Sequence, residues 1–183
     1  MRAIPGMVVI NPSDDVEARA AVKAAYEHQG PVYLRFGRLA VPVINDNEDY
    51  KFELGKGVVL RDGKDVTIIA SGLPVANCLE AAEKLAADGI DARVINIHTI
   101  KPLDEKLVIE AAKATGKVVT VEEHSVIGGL GSAVCDVLSE QAPTKTLKIG
   151  INDTFGESGP AVELVKKYGL DADSIYKKVK AFV

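Results

Sequence analysis

From Val66 onward, short runs of β-branched and aliphatic residues alternate regularly with longer stretches of helical spacing, and this alternation constrains the fold more than any other feature. "DVTIIAS" (65–71) reads as a strand, "PVANCLEAAEKLAADG" (74–89) as a helix closed by glycine, and "DARVINIH" (91–98) as a second strand. "PLDEKLVIEAAKATG", "KVVTVE", "GLGSAVCDVLSEQ" and "TLKIGI" continue the series as helix, strand, helix and strand. Strands separated by helices must run parallel, with helices on both faces, so the expected fold is a three-layer α/β/α domain with a mostly parallel sheet. In "SGPAVELVKKYGLDADSIYKKVKAFV" (158–183), Pro160, Gly169 and Asp171 mark two further helices that should cover the sheet.

The first 38 residues hold one βαβ unit, preceding the sheet as a partial one: "MVVINP", the acid-first helix "SDDVEARAAVKAAYEHQG" and "PVYLRFG". So small a unit cannot bury a core by itself, and its remaining strands are expected outside this sequence. Residues 39–54 carry Pro42 and the polar cluster "NDNED" without any sustained period, which predicts a linker. The expected division is 1–38, the tail end of one domain, 39–54, the linker, and 55–183, a complete domain.

Charge and cysteine usage narrow the function classes. A net charge of −4 with Lys and Arg interleaved among the acids gives no footprint for nucleic acid, and argues against an anionic membrane. There is no run of about 18 apolar residues, and no secretory leader is expected. Cys78 and Cys135 lie apart within helical patterns and read as buried free thiols, which suits a reducing, cytoplasmic setting.

The stretch "TVEEHSVIGGLGSAV" (120–134) concentrates chemistry-bearing residues. A glycine turn entering a helix can present N–H groups to a phosphate. Gly129 and Gly131 give the first two glycines of a dinucleotide fingerprint, but Val134 occupies the third place, and Glu122 and Glu123 would repel a phosphate. Alternatively, Gly128, Gly129 and Gly131 serve close packing, or Glu122, Glu123 and His124 at a strand's carboxyl end meet another domain or subunit. Arg35 and Arg38 in "RFGR" could hold a substrate phosphate or simply be solvated. His98 reads as a hydrogen-bonded structural residue, His28 as a favourable helix-end residue, and Glu157 and Ser158 as caps for the next helix. No Ser-His-Asp order, Cys-His pair or metal cluster can be defended.

Together, the R-x-x-P and P-S-D strings, "GPVYLRFGR" (30–38), "EEHSVIGGLGSA" (122–133) and "FGESG" (155–159) resemble the carboxyl-terminal part of transketolase. The likeness is strongest to the second subunit of transketolases encoded as two chains. Deoxyxylulose phosphate synthase and the β subunits of 2-oxo acid dehydrogenases share the architecture. The resemblance implies a thiamine diphosphate- and Mg²⁺-dependent transfer of a two-carbon ketol unit between sugar phosphates, as in the pentose phosphate pathway. It further implies a companion subunit or missing N-terminal domains, a homo-dimer, and a chain that is inactive and binds no cofactor alone. Arg38 matches the arginine that grips the sugar phosphate, with Arg35 as a neighbour. Under this resemblance Glu122, Glu123, His124, Gly128, Gly129 and Gly131 become interface or packing residues.

Overall fold

The computed structural model describes residues 1–47 and 50–183, so Glu48 and Asp49 of the expected linker lie outside the described residues. The chain opens with β1 (Val8–Ile10), α1 (Asp15–Glu27) and β2 (Val32–Leu34), and β1 pairs parallel with β2. There follow β3 (Val58–Arg61), β4 (Val66–Ala70), α2 (Pro74–Ala87), β5 (Ala92–Asn96) and β6 (Thr99–Lys101). The remaining elements are α3 (Glu105–Thr115), β7 (Lys117–Ser125), α4 (Leu130–Gln141), β8 (Lys145–Ile151), α5 (Ala161–Lys167) and α6 (Ala172–Phe182). None of the described helices is long and apolar enough to cross a membrane.

The larger sheet has the order β3-β5-β4-β7-β8, with all neighbours parallel except the antiparallel pair β3 and β5. Its two faces follow from the twofold alternation along β4. Ile68 faces one core with Val75, Cys78 and Leu85 of α2 and Ile175 and Val179 of α6. Ile69 faces the other with Val108 of α3 and Leu130, Val134 and Leu138 of α4. All of these side chains are essentially inaccessible to water, the Val, Leu and Ile side chains each contributing about 1.5–3 kcal/mol by burial. The expected three-layer α/β/α fold is therefore the observed one.

Two strands escaped the sequence reading. β3 is an edge strand of "VVLR" without alternation, and β6 has only three residues directly after His98. β6 leaves the larger domain and pairs antiparallel with β1, giving the small sheet the order β2-β1-β6. The leading βαβ unit thus gains its third strand from later in the chain, and Val9, Ile100 and Ala133 share a core across that joint.

Residues 39–54 contain no helix or strand among those described, yet they are pinned. Asp14 caps α1 by accepting from Glu17 N–H at 2.9 Å, while its other oxygen accepts the backbone N–H groups of Ile44 and Asn45, both at 2.8 Å. Those bonds hold the Asp14 carboxyl below its ordinary range against the opposing effect of burial.

Candidate functional site

The carboxyl ends of the parallel strands face the end of β2, and the residues singled out at 120–134 meet those at 35–38 there. Glu122, 1% exposed, projects from β7 across the turn and accepts the N–H groups of Leu130 and Gly131 at 2.9 Å each. The anion at this helix N-terminus is therefore the protein's own carboxylate. Gly129 has an ordinary φ of −90°, but an added Cβ would run into the Glu122 carboxylate, and one at Gly131 would come 2.7 Å from Thr120 Oγ1. Those two glycines admit the cap and the close approach of α4. Gly128, at φ +77°, makes the left-handed turn before it. With its first N–H groups already bonded to Glu122, this turn does not offer a nucleotide or free anion the seat that the sequence left open. Burial pushes the Glu122 carboxyl upward, opposed by the two N–H bonds and by Arg35 and Lys148.

Arg35 and Arg38, adjacent in the motif, part company in space. Arg35 turns inward. In the amide orientation that satisfies its neighbours, Asn11 accepts from Arg35 Nη2 at 2.9 Å and from Ser71 Oγ at 3.2 Å, and donates to Arg35 O at 3.2 Å. Burial lowers the pKa of the guanidinium, while Glu122, Tyr33 and Glu123 favour its charge. Arg35 thus joins the end of β2 to β7, and it does not line the cleft that holds Arg38. Gly72, at φ +68°, completes this joint, because a Cβ there would overlap the Asn11 amide.

Arg38 is exposed and, among the described residues, makes no ion pair or side-chain hydrogen bond. It lines a cleft of about 400 Å³ together with Glu123, His124 and Tyr168 and the apolar side chains of Leu39, Ile151 and Leu164. Burial pushes the Glu123 carboxyl up, with Arg35 opposing. The protein mass around the cleft and the Arg35 charge push the His124 imidazole down to about 4. Although His124 keeps a solvent-exposed face, both causes act in one direction, so the ring is neutral at pH 7. Tyr168 Oη accepts the Glu157 N–H at 3.1 Å, which leaves its own proton free to be donated. The cleft accordingly combines one free cation, neutral donors, an acceptor and aliphatic side chains. Such a set suits a polar ligand with an anionic end.

A second constellation was not legible in sequence. Glu17, 0% exposed, accepts from Ser13 N (2.6 Å), Ser13 Oγ (2.8 Å), Tyr50 Oη (2.6 Å) and Asn96 Nδ2 (2.8 Å), tying α1, the linker and β5 together. The helix start "SDDVE" was a usable signal for the cap, but nothing local announced Asn96 and Tyr50 as partners. His98, 0% exposed, stacks on Phe52 with ring centroids 4.2 Å apart, and its Nδ1 lies 2.9 Å from Thr99 Oγ1. Elsewhere, Glu157 pairs with Lys167 at 2.6 Å, so it does not cap α5, whose N-cap is Pro160. The backbone N–H of His28 bonds to Ala24 O at the end of α1. Cys78 is fully buried, as expected, whereas Cys135 is only half-buried.

Comparison with known proteins accounts for this architecture. Residues 1–43 match the family model described as the transketolase pyrimidine binding domain, and residues 55–175 that of the transketolase C-terminal domain. The chain is 49% identical over 177 residues to a 6-deoxy-6-sulfo-D-fructose transketolase subunit of Clostridium sp., covering 97% of this chain and 55% of that one. It is 43% identical to an apulose-4-phosphate transketolase subunit of Phocaeicola vulgatus, covering 100% of this chain and 58% of the relative. A 1-deoxy-D-xylulose-5-phosphate synthase of Geobacter sulfurreducens is 40% identical, with 29% of its length covered. Among solved structures, a split gene transketolase described as an inactive beta4 tetramer superposes with a TM-score of 0.94 at 52% identity, covering 99% of this chain and 59% of that one. The chain spans about half the length of the transketolase relatives it matches. On these matches, which include most of its residues, the chain belongs to the transketolase family.

Proposed function

We propose that this chain is the carboxyl-terminal part of a two-subunit transketolase, which in the complete enzyme moves a two-carbon ketol unit between sugar phosphates, and that Arg38 grips the substrate's anionic end. The observation that carries this reading is the placement of Arg38: exposed, unpaired among the described residues, and on the wall of a cleft furnished for a polyol. A guanidinium is the side chain best shaped to meet a tetrahedral anion with two parallel N–H bonds. The names of two relatives fit, since a 6-sulfo sugar and a 4-phosphate sugar each end in such an anion. Transketolase is favoured over deoxyxylulose phosphate synthase because the transketolase subunits are the more similar, at 49% and 43% against 40%.

Thiamine diphosphate and Mg²⁺ belong to the complete enzyme in this reading. The cofactor supplies the carbanion chemistry when bound. Among the described residues no group of three or more His, Cys, Asp or Glu could hold a metal ion, and the helix N-terminus at 129–131 is occupied by Glu122. This chain's own residues therefore do not fit the metal diphosphate, and the clamp is assigned to a companion subunit or to N-terminal domains. In this reading the chain alone is inactive. The division into 1–38, 39–54 and 55–183, a homo-dimeric core, a place in the pentose phosphate pathway and a cytoplasmic setting complete the proposal. The inactive state named for the split-gene structure supports the expected inactivity of this chain alone, and the two free thiols suit a reducing setting.

The test is kinetic. In the assembled enzyme Arg38→Ala should raise KM for phosphorylated sugars by roughly 10–100-fold with kcat little changed, the loss of one charge-assisted contact. An unchanged KM would remove Arg38 from the site.

A further inference from the structure

Glu123, His124 and Tyr168 belong to the larger domain, whereas Arg38 follows β2 of the leading unit, yet all four line one cleft. If Arg38 takes a phosphate, the rest of a sugar phosphate bound there must lie against groups of the larger domain. Their chemistry matches a polyol. The half-buried Glu123 carboxylate accepts from hydroxyls, the Tyr168 proton is uncommitted, and a neutral imidazole can both donate and accept.

A purely structural role explains these side chains poorly. Among the described residues neither Glu123 nor His124 makes a side-chain hydrogen bond, in contrast to the buried Glu122 beside them, whose two oxygens are both engaged. Adjacent residues on β7 point to opposite faces, so Glu122 is committed to the helix while Glu123 turns toward the β2 side. There a Cβ on Gly37, next to Arg38, would stand 4.0 Å from Glu123 Oε2. Arg35 is close enough to Glu123 to offset part of that carboxylate's negative charge, which weakens its repulsion of a phosphate on Arg38.

We propose that His124, with Glu123, is a specificity-determining contact to the phosphorylated sugar, so that the larger domain reads the same substrate end that Arg38 grips. This inference rests on the Arg38 reading. It gives the larger domain a part in substrate choice beyond supporting assembly.

The experiment uses the assembled two-subunit enzyme with ribose 5-phosphate as acceptor. His124→Ala is expected to raise KM roughly tenfold while kcat and subunit association stay close to wild type, with His124→Gln recovering part of the loss. Combined with Arg38→Ala, it should add less than its separate effect, because both residues hold one ligand. If Arg38→Ala raises KM and His124→Ala does not, the inference is overturned while the grip stands. If Arg38→Ala leaves KM unchanged, both fall. Fully additive effects, or loss of subunit association from His124→Ala, would also overturn it by making the residue an independent or an interface contact. A second readout needs no cofactor: the chain contains three histidines, and ribose 5-phosphate should shift the ring resonances of His124 alone, with the shift abolished by Arg38→Ala. Shifts spread over all three, or absent from His124, contradict the assignment.

Discussion

Glu122 reaches across the turn from β7 and accepts the backbone N–H of Gly131 at 2.9 Å, so the first turn of α4 is closed by a carboxylate eight and nine residues upstream of the groups it binds. A buried acceptor of this kind satisfies two orphan donors and complements the helix dipole. Glu122→Ala should cost about 2–4 kcal/mol by leaving those donors buried and unpaired, and Glu122→Gln less. Urea unfolding measures it as a lower midpoint at unchanged m-value. A loss below about 1 kcal/mol would mean the cap is dispensable.

Gly129 is required by that carboxylate and not by its own backbone angle. Gly129→Ala should destabilise by about 1–3 kcal/mol through overpacking. Added to Glu122→Ala, it should cost less than it does alone, because the carboxylate it clashes with is gone. Strict additivity in the double-mutant cycle would refute the steric cause.

Glu17 gathers four donors from Ser13, Tyr50 and Asn96 with no exposure to water. Glu17→Ala should cost about 3–5 kcal/mol, since it strands several buried polar groups at once. It should also speed proteolysis within residues 39–54, whose attachment depends on the same network. Unfolding midpoints and the cleavage map check the two halves separately.

His98 supplies a pH dependence with a defined sign. Burial lowers its pKa below 6.5, with the Glu17 charge opposing, so the folded state resists the proton that the unfolded state accepts. Its contribution to stability is complete above pH 6.5 and is lost as pH falls from there through the folded value, by up to about 1.4 kcal/mol per pH unit. Glu122 and Glu123, whose carboxyls are raised, act in the opposite sense: their contribution is present below pH 4.5 and lost as pH rises through the folded values. Comparison with His98→Gln isolates the histidine. Wild type should lose stability relative to that variant between pH 6.5 and 5, and a constant difference would contradict the buried neutral ring.

The parallel core was legible because its strands and helices carry their own periods: Ile68 and Ile69 serve opposite faces, and Asp171 and Gly169 delimit helices by local chemistry. β6 was not, because three residues hold too little pattern and their partner, β1, lies about ninety positions away. The same limit hid the bond from Asn96 to Glu17. Glu122 and Glu123 were adjacent letters with one expected role, but strand geometry sends one to a helix and the other to a cleft. Arg35 and Arg38 were likewise paired as neighbours, although burial separates them into a joint and an open cation.

The most direct measurement is ketol transfer between sugar phosphates, with thiamine diphosphate and Mg²⁺ present, by this chain alone, by its companion alone and by the two mixed. Turnover should appear only in the mixture, and calorimetry should detect no thiamine diphosphate binding to this chain by itself. Turnover by the isolated chain, or its binding of the cofactor at micromolar affinity, would contradict the account.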